Sequence, residues 1–141
     1  MRKEYRERLA KEYRYAVTRM QQETQPAKKL FYFSIFFGEA QRMLNLEWDR
    51  DLVLTFMVTQ QVYTQINAAT QTSSILQLPM DGSIIYEQLT SISSDLAAYF
   101  EKTESKVNKE ELYKTLGCLA EINYLATGNG SYLYEKGLIK L

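Results

Sequence analysis

Leu30-Phe31-Tyr32-Phe33-Ser34-Ile35-Phe36-Phe37 is the stretch on which the fold of this chain turns. Read as part of a helix from about Ala27 to Leu46, it carries one apolar stripe at Leu30, Phe33, Phe37, Ala40 and Leu44 and a second at Tyr32, Phe36 and Met43. A helix that is apolar on more than one side must be covered on more than one side. The segment is therefore expected to be the central element, or one that packs a core and a second copy of the chain together. Ser34 and Gly38, small residues four apart, leave room for another helix to approach. The apolar run is too short for a bilayer, which needs about 20 mainly apolar residues.

Pro26 sits just ahead of this helix, well placed in its first turn, and closes the preceding one. Upstream, Tyr5, Leu9, Tyr13, Ala16, Val17 and Met20 recur at spacings of three and four, which predicts an amphipathic helix from Arg2 to about Glu23. Its polar faces hold opposite charges four apart: Glu4 with Arg8, Glu7 with Lys11, Arg8 with Glu12. Such pairs each support a solvated helix by a few tenths of a kcal/mol.

Downstream, Asn45 to Asp51 reads as a tight connection in which Asp49 caps the next helix, marked by Leu52, Phe56, Thr59, Tyr63, Ile66 and Thr70. The remaining faces of that helix are Gln, Thr and Val. Water-facing helices normally carry charge, so this uncharged surface suggests contact with protein or a sheltered groove. Thr72 to Gly82, with Pro79 and the Asp81-Gly82 pair, reads as a loop. Ser83 is placed to cap a fourth helix reaching about Glu104, with a stripe at Ile85, Leu89, Ile92, Leu96 and Tyr99. Asn108 and Glu111 form a capping-box pattern opening a fifth, with Leu112, Leu116, Leu119, Ala120 and Ala126, which Gly128-Asn129-Gly130 ends. No stretch alternates as a strand does. The expected fold is all-α: one domain over residues 1–141, an antiparallel helical bundle of four main helices plus an accessory helix.

Composition narrows the function. No histidine occurs among the 141 residues, and Cys118 is the only cysteine. Imidazole-based proton transfer, Ser-His and Cys-His nucleophiles and histidine metal sites are thereby excluded, and the lone thiol has no histidine base. The active branch of the HEPN family is excluded for the same reason. A single cysteine and a charged stretch from Met1 to Arg14 instead of an apolar leader point to a reducing, cytoplasmic setting. No phosphate loop, dinucleotide fingerprint or zinc spacing is present. No cofactor, metal-binding residue or catalytic residue is assigned.

Three readings follow. Arg2, Arg6, Arg8, Arg14 and Arg19 interleave with Tyr5, Tyr13 and Tyr15, a combination able to grip phosphates and stack on bases in a nucleic acid. The simpler account is a salt-bridged surface helix with a buried tyrosine stripe. Carboxylate or metal-dependent chemistry would draw on Glu39, Glu47, Asp49, Asp51, Glu110 and Glu111. Glu39 shares a face with Tyr32, Phe36 and Met43, where partial burial would raise its pKa. The third reading, and the one preferred, is a non-catalytic homo-oligomer, a structural or protein-interaction module that meets no membrane. Tyr132-Leu133-Tyr134-Glu135-Lys136-Gly137-Leu138-Ile139-Lys140 resembles the end of a winged-helix recognition helix, although only Leu141 follows where a wing would start. In its Tyr-, Met- and Ile-rich bundle pattern the whole chain resembles small archaeal helical-bundle proteins of uncharacterised function. That resemblance implies an all-α bundle and transfers no functional residue.

Overall fold

A computed structural model of the chain describes residues 1–76 and 82–127, those of 72–76, 82–84 and 123–127 by their backbone alone. Every regular element among them is helical: α1 (Lys3–Gln22), α2 (Pro26–Leu44), α3 (Arg50–Leu76), α4 (Gly82–Glu101) and α5 (Lys109–Thr127), with a 3₁₀ turn at Glu104–Lys106. None is accessory in length, the shortest having 19 residues and the longest 27. The helices form a ring in which α1 packs on α2 and α4, α2 on α3, and α5 closes the gap between α3 and α4; α2 also touches α4 across the middle. Partners along α1 and α2 run in opposite order, Tyr13 meeting Phe36 and Arg19 meeting Tyr32.

The boundaries follow local chemistry. Pro26 occupies the first turn of α2, where its missing N–H costs nothing. Asp49 caps α3: its Oδ1 accepts the Leu52 amide at 3.0 Å. Replacing it with alanine is expected to cost about 1 kcal/mol, whereas Asp49→Asn keeps the acceptor and most of the stability. Thermal melts of the two variants side by side check this, and equal losses would refute the cap. Asn108 also caps as expected, its Oδ1 accepting the Glu110 amide at 3.0 Å. The reciprocal half of the capping box does not form, because the Glu111 carboxylate turns to Lys102 Nζ at 2.9 Å.

Four expectations need correction. The helix ending near Thr70 runs on to Leu76, so the first part of the supposed loop is helical. Thr, Ser and Gln are only moderately poor helix formers, and the backbone restriction imposed by Pro79 reaches back no further than Leu78. Gly82 already lies within α4, so Ser83 is inside that helix and does not cap it. That helix stops at Glu101, short of Glu104, and Ala120 faces outward. Pro79, Asp81 and everything from Gly128 onward, including the segment resembling a winged helix, lie outside the described residues.

Both stripes of α2 are covered within one chain: Leu30, Phe33, Ala40, Phe36 and Met43 are all buried, and Phe37, Leu44 and Tyr32 partly so. The helix α4 is equally central. Beyond its expected stripe it buries Tyr86, Thr90, Ser93, Ala97 and Phe100. The buried hydroxyls of Thr59 and Thr90 are satisfied locally, bonding to the carbonyls of Thr55 and Tyr86 one turn back. The heart of the core is aromatic. The ring of Tyr13 lies 4.5 Å from Phe36 and edge-on to Phe100 at 5.4 Å, joining α1, α2 and α4, and its hydroxyl donates to the Phe36 carbonyl at 2.7 Å.

Candidate functional site

The arginines of α1 are largely spent on the fold. Arg6 is buried, its Nε and Nη2 donating to the carbonyls of Lys102 and Tyr99 at 2.8 Å each. Arg14 binds the Glu101 carboxylate and, through Nη1, Ser94 Oγ at 3.2 Å. Arg19 lies over the Tyr32 ring, reaches its hydroxyl at 2.7 Å and pairs with Glu23. Arg8 stands 3.9 Å from Glu39. Arg2 alone of the five stays exposed without an ion pair among the described residues, resting on Tyr5. Of the tyrosines weighed with them, Tyr13 is core, Tyr5 is half-buried and Tyr15 is half-exposed, edge-on to Tyr32. The interleaved pattern serves to bind helices together instead of presenting a basic stripe.

The carboxylates gather only in part. Glu47, Asp49 and Glu104 surround the Met1 amino group at 3.8, 3.5 and 3.4 Å, so they neutralise a cation at the meeting point of α1, the α2–α3 connection and the 3₁₀ turn. Asp51 stands apart, within reach of Lys109 Nζ at 3.7 Å and the Tyr99 hydroxyl at 3.5 Å. Glu111 is tied to Lys102, while Glu110 is exposed in the first turn of α5. Glu39 is mostly buried between α1 and α2, its Oε1 accepting from Arg42 at 3.0 Å. Glu39 is mostly buried on the face expected for it, and Arg8 and Arg42, both of opposite charge, reach it there. Among the described residues no three of His, Cys, Asp and Glu converge to hold a metal ion. Cys118 is partly exposed and lines a cavity of about 340 Å³ with Asp95, Tyr99 and Lys114.

What the fold leaves conspicuous is an uncharged outer surface on α3. Between Leu52 and Leu76 there is no Asp, Glu, Lys or Arg, yet Met57, Gln60, Gln61, Thr64, Ala68 and Gln71 are all exposed. They follow at spacings of three and four, so they form one stripe, with Met57 58% exposed. Large apolar side chains are also bare elsewhere: Phe31 at 65% on α2, and Leu46 and Trp48 at 61% and 74% on the connection to α3. Beside Gly38 there is open space, since a Cβ there would meet nothing within 4 Å.

Comparison of the chain with protein-family models, with curated proteins and with solved structures finds no match. No helix among the described residues is long and apolar enough to cross a membrane.

Proposed function

We propose that the protein is a non-catalytic, self-associating interaction module: an antiparallel helical bundle whose α3 stripe packs against a second copy. The observation that carries this reading is the uncharged exposed face from Met57 to Gln71. A solvated helix of this length gains solubility and pairwise support from Lys and Glu on its outer face, and this one has neither. Interfaces are depleted of Lys and Glu and enriched in Met; the stripe has no Lys or Glu and carries Met57. The open space at Gly38 gives an approaching helix room on the adjoining element. The nucleic-acid reading has lost most of its carriers to internal contacts, and all the carboxylates of the enzyme reading but Glu110 stand within ion-pair distance of a cation.

Sedimentation equilibrium at micromolar concentration tests the proposal. The expected mass is at least twice the 16.5 kDa of one chain. Met57→Lys places a charge on the one large apolar side chain of the stripe and is expected to restore the single-chain mass without loss of helix content, because Met57 is 58% exposed and contributes little to the core. A native chain sedimenting at 16.5 kDa throughout would overturn the reading.

A further inference from the structure

Arg6 is 7% exposed, and no carboxylate lies within ion-pair distance of it among the described residues. Burying a cation is costly unless it is paired or fully hydrogen-bonded. Its Nη2 and Nε donate to the carbonyls of Tyr99, in the last turn of α4, and of Lys102, just past its end, where the helix terminus is partially negative, and the rings of Tyr99 and Phe100 lie 5.1 and 5.2 Å away. Arg6 lines a cavity of about 680 Å³ between the first turns of α1 and the α4–α5 connection, a volume within the usual range for small-molecule sites.

The other charges around this cavity are matched. Lys3 pairs with Glu7 at 3.8 Å, the Met1 amino group with Glu104 at 3.4 Å, Lys102 with Glu111 at 2.9 Å, and Glu101 with Arg14. Arg6 is therefore the one cation lining the cavity whose charge meets no carboxylate among the described residues. Phe100 and Ala10 add apolar wall, and Thr103 and Ser105 add hydroxyls.

We propose that this cavity binds a small organic monocarboxylate, its carboxylate paired with the Arg6 guanidinium and its apolar body against Phe100 and Ala10. A guanidinium offers a planar fork that a carboxylate matches. A phosphate dianion would bring a second negative charge among Glu7, Glu101 and Glu104 with no further cation to meet it, so a single charge suits the site.

Amide NMR of the full chain titrated with hexanoate tests this, with hexylammonium and inorganic phosphate as comparison probes. Saturable shifts centred on Arg6, Ala10, Phe100 and Thr103 are expected with hexanoate alone. Arg6→Lys, which keeps the charge and loses the fork, is expected to weaken hexanoate binding about tenfold or more. Should that variant fail to fold, the shift map of the native chain decides. No saturable binding, shifts centred elsewhere, or equal binding of hexylammonium or phosphate would each overturn the proposal.

Discussion

Phe36→Ala is expected to destabilise the protein by about 3–5 kcal/mol, the usual cost of emptying a phenylalanine site in a core. A single domain has only about 5–15 kcal/mol to lose, so the variant should unfold at a much lower urea concentration. The reason is position as well as size. Phe36 has no exposed surface, and its ring centre lies 4.5 Å from that of Tyr13 and 5.4 Å from that of Phe33, both tilted to it. Through Tyr13 it is linked to Phe100 of α4. Shortening it leaves a void shared by three helices, none of which is able to close it alone, and it loosens the Tyr13 ring whose hydroxyl bonds the Phe36 carbonyl. Phe31→Ala, at a position 65% exposed, is the matched control and should change stability by no more than about 0.5 kcal/mol. Urea unfolding followed by circular dichroism measures both, and similar losses for the two would contradict this account of the core.

The same comparison shows what was legible in the chain. The spacing that made α2 apolar on two sides was sufficient to predict that it would be enclosed, and it is, by α1, α3 and α4. Pro26 and Asp49 marked helix starts because their effects are confined to one turn. The second buried face of α4 was not legible, since Thr90 and Ser93 read as solvent-facing until a tertiary partner covers them. Arg6 was hidden for a stronger reason. Grouped with the other arginines it looked available for phosphate, but its partner carbonyl at Tyr99 lies 93 positions along the chain. No local pattern reports where the end of α4 will dock. The uncharged face of α3 was visible from the start, because a missing charge is a property of the sequence itself. Which of its residues stay exposed followed only from the packing.

The contribution of the buried tyrosines to stability is expected to be constant up to about pH 10 and then to fall steeply towards pH 12. Burial pushes the Tyr13 hydroxyl well above the ordinary tyrosine value of 10.0, with the nearby Glu39 carboxylate adding to the effect. Burial likewise pushes Tyr99 up to about 12, helped by Asp51 and opposed by Arg6, and raises Tyr86 against the effect of its hydrogen bond with Thr70. In the unfolded chain these phenols ionise near 10. Between about 10 and 12 the folded state therefore holds more protons than the unfolded one, so each step up in pH favours unfolding; below the unfolded value both states are protonated and the contribution is constant. Urea midpoints at a series of pH values, with tyrosine ionisation read by absorbance, check this. Tyr13→Phe separates the two consequences of the hydroxyl. It is expected to lose about 1 kcal/mol near neutral pH, where only the hydrogen bond to the Phe36 carbonyl is missing, and to decline less steeply above pH 10, where the native chain must also pay for expelling a buried phenolate. If the native chain and Tyr13→Phe declined in parallel, Tyr13 ionisation would not be what limits the fold at high pH.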